Sequence, residues 1–277
     1  MIAELFTYEF LQNAVIAGLL ASIVCGIIGV IIVEKKMVMI GGGIAHTAYG
    51  GVGLGYLAGF PPMIGAFLAA VLAAFGIGFA KRKGKVQTDV LIALFWSLGM
   101  ALGIAFIGLV PGYPPDMTSY LFGNILSVTR SELLLMLGLT VLVVLVVVML
   151  FHDLKAFMFD AQFAAIRGMR TTFLEYLLLV LIAVTVVVLI RVAGIILVIA
   201  LLAAPAASAS LLSHNLTKRM ILAAVLGVVF CWAGLLVSYA LDIASGAAIV
   251  ILAVACYAVI YAVTVLKRSR KNQLVRK

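Results

Sequence analysis

Long apolar runs recur along the whole chain and constrain its fold more than any other feature. Hydrophobic residues make up 66% of the 277 residues and charged residues only 10%, whereas a soluble domain carries about 25% charged residues. A run of about twenty apolar residues can cross a bilayer as a helix, which satisfies its own backbone groups where no water is present. The sequence therefore predicts an all-α fold, a polytopic transmembrane bundle, forming one domain over residues 1–277 because no polar linker divides it.

The apolar runs predict eight or nine membrane spans. We place them near residues 12–33, 43–60, 63–80, 89–110, 133–151, 173–190, 194–212, 220–240 and 246–266. Two of them predict short or broken helices: residues 43–60 are few and rich in glycine, and residues 194–212 are interrupted by Pro205, which removes a backbone hydrogen bond. Irregular backbone is stable at membrane depth only where protein buries it or where it lines a cavity.

The net charge of +9 is spread over alternate connections between spans. Basic clusters lie at residues 34–36, 81–85, 152–170, 218–219 and 267–277. Only Arg130 and Arg191 fall on the other side of the predicted bundle. This distribution follows the positive-inside rule and predicts an outer N-terminus and a cytoplasmic C-terminus in a cell membrane. It argues against a nucleic-acid partner.

The segment GGGIAHTAYGGVGLGYLAG, residues 41–59, places an ionisable ring at membrane depth. His46 lies deeper in a span than any other ionisable residue, and such a group is a candidate functional site because its burial is costly. A neutral imidazole is a good ligand for divalent transition metals. The alternative is a neutral histidine that is hydrogen-bonded between helices, and from this residue alone the two readings are equally supported.

The glycines of this segment predict two different roles. Gly51, Gly55 and Gly59 repeat every fourth residue, a spacing that lets a neighbouring helix pack closely. Residues 41–43 form a run that predicts a helix start able to bend or unwind. Gly50 shares a face with His46, which predicts free space beside the ring.

Two long connections predict contacts with other proteins. Residues 111–132 are long enough to form a partner-facing surface on the outer side. On the inner side, residues 152–172 contain an amphipathic helical pattern that Asp160 could cap and that Gly168 follows. Its apolar stripe consists of Phe159, Phe163 and Ile166. A helix of this kind rests on lipid or docks into a partner protein.

No enzyme motif is present in the sequence. The basic segment GFAKRKGKV lacks the glycine spacing and the Ser/Thr of a phosphate-binding loop, and no span contains paired carboxylates. The chain is therefore predicted not to be an enzyme, and an ATPase that drove transport would be a separate chain. A carrier driven by an ion gradient is less favoured, because it would need buried carboxylates or a proton relay.

Six motifs, in order along the chain, resemble a known transporter family. AHTAYGGVGLGYLAG is similar to the SHAxLPGVALGYLLG signature of the permease subunit of zinc/manganese/iron ABC importers. Thr88-Asp89 resembles the TD that opens that family's central span. The remaining matches are Asp116 with SYLFGNIL (119–126), FDAQFAAIRG (159–168), RVAGIILVIALLAAPAASASLL (191–212) and SYALDIASGAAIVIL (238–252). The resemblance covers essentially the whole chain.

The resemblance implies a transport function and a set of partner proteins. Two copies of the permease would form the translocation pathway as a homodimer. Two ATP-binding subunits would dock on the cytoplasmic side. An extracytoplasmic binding protein would deliver the metal. Residues 159–168 would be the coupling helix, and residues 111–132 would face the binding protein. No cofactor would be bound permanently, since the metal is the cargo and ATP belongs to the partner. The implied metal-contacting residue is His46, with Asp89 and Asp116 as further candidates.

Two departures from the family pattern affect the identity of the cargo. Many members place an aspartate four residues before the signature histidine, where this chain has Gly42. Some zinc-type members carry a second histidine near the position of Ser97. The sequence favours a divalent ion, zinc ahead of manganese or iron. The alternative is a chelated metal, a siderophore or a cobalamin-like compound.

Overall fold

The computed structural model describes residues 8–83, 87–112 and 118–275. Within these residues the chain is helical, and no strand occurs among them. The helices are α1 (Glu9–Glu34), α2 (Val38–Ala58), α3 (Pro62–Lys83), α4 (Thr88–Gly108), α5 (Thr118–Phe122), α6 (Arg130–Met149), α7 (Phe151–Phe159), α8 (Ala161–Ile166), α9 (Thr171–Leu212), α10 (Leu216–Leu241) and α11 (Ser245–Val275). A 3₁₀ turn at Ile125–Ser127 precedes α6. The predicted all-α membrane bundle is confirmed.

The described helices contain nine apolar segments, as predicted. Seven helices are long and apolar enough to cross a membrane, counting α9 as one. The eighth is α2, which is more polar because of its glycines and His46, yet its 21 residues extend about 31 Å at 1.5 Å per residue. The ninth comes from the division of α9 into two antiparallel halves.

The chain reverses direction inside α9 at Gly194, where φ is 75° and ψ is 160°. Near its start, Glu175 pairs with Lys81 of α3. Just past its end, the Ser213 carbonyl accepts a hydrogen bond from Arg219, which also pairs with Glu34 at the end of α1. Lys35 follows Glu34 and lies within electrostatic reach of Lys81 and Glu175. Both ends of α9 therefore lie at one end of the bundle.

The break in this region is at Gly194 and not at Pro205, where the sequence placed it. Pro205 is buried inside the second half of α9, and helical φ/ψ angles continue through it. Membrane helices tolerate proline where neighbouring helices and Ser or Thr side chains satisfy the freed carbonyl. Glycine is needed at 194 because positive φ disfavours other residues.

The bundle has a basic end and a far end. The basic end carries the α1–α2, α3–α4 and α9–α10 connections together with α7 and α8, and its cations include Lys35, Lys81 and Arg219. The far end carries the α2–α3 and α10–α11 connections, α5 and the reversal at Gly194. Helices α1, α2 and α9 are the most buried spans, whereas α4 and α11 present most of their surface outward.

Candidate functional site

Helix α2 carries the histidine segment through the interior of the bundle. It is a regular helix from Val38 to Ala58, and residues 41–43 are buried within it. The three glycines are therefore helical in this structure, and their predicted ability to bend or unwind stays a prediction. They are covered by side chains instead: the Ile92 side chain lies against Gly43, and the Leu202 side chain approaches Gly41.

The glycines of α2 bring its backbone against that of α4. A Cβ atom added to Gly50 would lie 2.7 Å from the Gly99 carbonyl oxygen, and one added to Gly53 would lie 2.7 Å from that of Gly103. No side chain fits at such a distance without moving one backbone. The free space predicted beside His46 is thus filled by the backbone of α4.

The three glycines predicted to serve helix packing do not share one role. Gly51 lies directly against the backbone of Gly65 in α3, and a Cβ added to Gly55 would lie 2.7 Å from the Cα of Pro62. Gly59 follows the last residue of α2, with φ of 74° and no atom near the position of an added Cβ. The packing role predicted for Gly59 is wrong, because this residue caps the helix in the left-handed conformation.

His46 is buried between α2 and α4. Its ring stacks on Trp96, with centroids 4.0 Å apart and an interplanar angle of 18°. Its Nδ1 lies 3.1 Å from the Met100 sulfur. Of the acidic, basic and histidine side chains in the described residues, only that of His46 is buried. The ring therefore meets an indole face and a thioether, with no carboxylate among these contacts.

A threonine next to the histidine ties the same two helices together. Thr47 Oγ1 lies 2.7 Å from the Gly43 carbonyl and 3.1 Å from the Phe95 carbonyl, so its hydroxyl donates within α2 and towards α4. Because Phe95 directly precedes Trp96, this contact fixes the height at which the indole meets the imidazole.

Trp96 also occupies the space beside Gly42. A Cβ atom added to Gly42 would lie 2.9 Å from Cζ3 of the indole. Position 42, where the family resemblance leads us to expect an aspartate, therefore faces an aromatic ring here. Sequence reasoning missed Trp96 and Met100, because an indole and a thioether in an apolar span resemble ordinary core residues. The available signal was their spacing of four, which runs beside Gly99 and Gly103.

The acidic candidates are not brought to His46. Asp89 is exposed in the first turn of α4, seven residues before Trp96 and so about 10 Å nearer the basic end. Asp242 caps α10 at the far end. Asp116 lies outside the described residues. No group of three or more His, Cys, Asp or Glu side chains in the described residues is placed to hold a metal ion.

Comparison with known proteins identifies the family. A model described as the ABC 3 transport family matches residues 7–264. This chain belongs to the ABC 3 transport family. It is therefore a transport subunit that spans the membrane several times and not an enzyme, and ATP hydrolysis belongs to a separate chain.

Three similar proteins place this ABC 3 permease among its relatives. An uncharacterized membrane protein of Synechocystis sp. is 44% identical over 250 residues, covering 90% of this chain and 89% of that protein. A manganese transport system membrane protein, MntC, of Halalkalibacterium halodurans is 34% identical, covering 93% and 88%. The structure of PsaBC from Streptococcus pneumoniae in complex with Fab is 33% identical, with a TM-score of 0.84, covering 94% and 95%.

The ABC 3 permease exposes an apolar surface at its basic end. Asp160 accepts hydrogen bonds from the backbone of Gln162 and Phe163, each at 2.9 Å, so its predicted capping role is confirmed. The capped helix α8 begins at Ala161 and not at Phe159, because Asp160 separates it from α7. We call the exposed side chains of this segment the coupling surface. They are Phe159, Phe163 and Ile166, exposed to 65%, 51% and 84%.

Lys35 joins α7 to the α1–α2 connection. Its Nζ donates to the Phe157 carbonyl at 2.9 Å and lies 3.9 Å from the centre of the Phe157 ring. Burial lowers the pKa of Lys35, and the nearby Lys81 lowers it further, while Glu175 acts in the opposite direction. The segment bearing the coupling surface is thus attached to the short connection that leads into the histidine helix.

At the far end, three backbone segments meet without side chains between them. Gly123 lies directly against Ala193 and Gly194, at the reversal of α9. A Cβ added to Gly246, at the start of α11, would lie 2.6 Å from the Phe122 carbonyl. Between α5 and α6, Thr129 and Glu132 form a capping box for α6. Three of the motifs that identify the family therefore converge on one junction.

Proposed function

We propose that this permease carries a divalent transition metal ion across the membrane, zinc ahead of manganese or iron. The observation that carries the proposal is His46, the buried imidazole between α2 and α4. A buried ionisable group is costly in a membrane and marks ion or substrate pathways. The His46 imidazole and the Met100 sulfur would bind an ion weakly. Conduction requires weak binding, because the ion must be able to leave.

Names of relatives support a metal cargo. The Halalkalibacterium halodurans relative is described as a manganese transport system protein, and a membrane protein of Yersinia pestis, 31% identical over 252 residues, is described as part of a chelated iron transport system. Zinc is placed first because the His46 site offers nitrogen and sulfur, which suit zinc, whereas manganese prefers oxygen ligands.

A second copy of the chain would complete the pathway. Helix α4 exposes a row of small residues at every fourth position, namely Ala93, Ser97, Ala101 and Ala105. Such a row lets another helix approach closely. Trp96 and Met100 border it, so pairing of two α4 helices would bring both His46 sites to one interface. This geometry supports the homodimer.

The charges and the coupling surface support the orientation. Under the positive-inside rule the basic end faces the cytoplasm, as does the C-terminus. The coupling surface would then dock into the ATP-binding subunit, with Gly168 ending the segment. The far end, with α5 and the segment that leads into α6, would receive the metal from an extracytoplasmic binding protein. The observed φ of 79° at Gly168 gives this segment a sharp turn.

A chelated metal is the second candidate cargo, because no acidic group contacts His46 and because of the chelated-iron relative. The close contact of α2 with α4 argues for the smaller cargo. A siderophore-sized compound passing between α2 and α4 would have to separate the Gly50–Gly99 and Gly53–Gly103 contacts.

Radioactive uptake tests the proposed cargo. Cells with and without the gene, grown under chelation, are given zinc, manganese or iron as free salts and as chelates. We expect the gene to raise uptake of free zinc most. Unchanged uptake of all three free metals would refute the proposal, and uptake of the chelate alone would establish the second candidate.

A further inference from the structure

We propose that Trp96 and Gly42 act together as the pair that sets metal selectivity, the indole taking the space in which an acidic side chain at position 42 would join His46. This inference rests on the proposed function, because it assumes that the ion passes His46. It concerns which ion the site favours and not whether the protein transports metal.

The two positions on α2 share one partner on α4. Residues 42 and 46 are four apart in a regular helix, so they lie on the same face. The Trp96 ring stacks on His46 with centroids 4.0 Å apart, and its Cζ3 would lie 2.9 Å from a Cβ at Gly42. One indole therefore covers the imidazole face and fills the neighbouring position.

Movement of the indole away from position 42 is costly, because the ring would leave its stack on His46. Ile199 lies on another side of Gly42, with its Cδ1 at 3.6 Å from the added Cβ. The hydrogen bond from Thr47 to the Phe95 carbonyl fixes the adjacent backbone of α4. Movement of the ring away from Gly42 would also break its stack on His46, so the two contacts are lost together.

The consequence is a change in the kind of ligand set. An aspartate at position 42 would add oxygen ligands, which favour manganese and other hard cations. The residues present offer an imidazole and the Met100 thioether, which favour zinc and softer ions. The exclusion of a carboxylate by Trp96 thus shifts the preference of the path away from manganese.

Metal binding to four variants of the permease–ATPase complex tests the pair. The variants are Gly42→Asp, Trp96→Ala, the double variant, and Gly42→Asp with Phe95→Ala as the matched control. Phe95 is also aromatic but faces Gly76 of α3. Equilibrium dialysis with labelled zinc and manganese measures affinity, and size-exclusion chromatography measures the yield of folded complex.

We expect Gly42→Asp to lower the yield of folded complex. Adding Trp96→Ala to Gly42→Asp should restore this yield, whereas adding Phe95→Ala should not. The double variant is expected to bind manganese at least about tenfold more tightly than the wild type does, with a smaller gain for zinc. In a fifth variant, His46→Ala added to the double variant should abolish the gain. An unchanged zinc-to-manganese ratio in a folded double variant overturns the inference. If the wild-type complex neither binds nor transports metal, the proposed function fails instead.

A second measurement covers the case in which aspartate prevents folding altogether. Gly42→Ala adds only the Cβ atom, and its effect on Tm is compared in the wild type and in Trp96→Ala. We expect the drop in Tm to shrink by at least half in the Trp96→Ala background, because the obstructing ring is gone. An equal drop in both backgrounds shows that the indole does not occupy this space, and the inference is then rejected.

Discussion

The His46 site and the coupling surface are built in opposite ways. Around His46, glycines on α2 and α4 bring two backbones into contact, and the few side chains present fill the remaining space. On the coupling surface, a short helix capped by Asp160 holds large apolar side chains away from the protein. The first region is defined by backbone contacts that missing side chains permit, and the second by large apolar side chains that are more than half exposed.

This difference predicts how each region responds to substitution. At the α2–α4 and α2–α3 contacts, an added side chain would meet the backbone of the neighbouring helix. Because a backbone cannot move aside by changing rotamer, one whole helix would have to shift. On the coupling surface a substitution changes little within the permease, and its effect should be seen in the partner complex. The predictions below run from the largest expected effect to the smallest.

Gly51→Leu is expected to have the largest effect. Its side chain would enter the backbone of Gly65 in α3, which should destabilise the protein by about 3 kcal/mol or more. The amount of monodisperse protein after detergent extraction measures the loss. Gly138→Leu in α6 is the matched control, because an added Cβ there meets nothing within 4 Å. Equal yields of the two variants would contradict the packing described here.

His46→Ala is expected to remove transport while the protein remains folded. The loss of the imidazole deprives the ion of its buried ligand, and uptake should fall by at least about tenfold. Metal uptake is measured together with the amount of permease in the membrane and its association with the ATPase. His214→Ala, at an exposed histidine of the basic end, should transport normally. Wild-type uptake by His46→Ala would return this residue to a packing role.

Phe163→Asp should separate the permease from its ATPase without unfolding it. The charge would enter an apolar contact, whereas the free permease should change by no more than about 0.5 kcal/mol, as surface substitutions usually do. Co-purification of the two subunits and ATP turnover measure the effect. Gln162→Asp places the same charge at the exposed neighbouring position. An intact complex with full turnover in Phe163→Asp would exclude a coupling role.

Asp160→Ala should have the smallest effect. Two backbone amides at the start of α8 lose their acceptor, which costs about 1 kcal/mol and should weaken ATPase binding by about fivefold. Titration of the detergent-solubilised subunits measures this affinity. Asp153→Ala removes the same charge from within α7 and should leave the affinity unchanged. A similar loss in both variants would point to charge and not to capping.

The spans, the cap and the identity of the family could be predicted from the sequence because each depends on local pattern. Apolar length sets the spans, and Asp160 directly precedes the helix that it caps. The placement of the break at Pro205 failed for the opposite reason. A proline lowers helix stability in isolation, but its neighbours in α9 decide whether the helix continues.

The surroundings of His46 could not be predicted, because they depend on which helix faces α2. Trp96 and Met100 are separated from His46 by about fifty residues, and nothing in α4 marks an indole as a partner of an imidazole. The glycines suggested space beside the ring, whereas the structure fills that space with Gly99 and Gly103. A glycine row indicates that something approaches closely, but the sequence does not say what.

The glycine junction at the far end has a mechanical consequence. Side chains can absorb a small displacement by changing rotamer, but Gly123, Gly194 and Gly246 offer none at the points where their segments touch. We therefore expect a displacement of the α5 segment to move the apex of α9 and the first turn of α11 with it. The second half of α9 carries Ile199 and Leu202, whose side chains lie beside Gly42 and Gly41 of the histidine helix, so we expect the same displacement to be felt there.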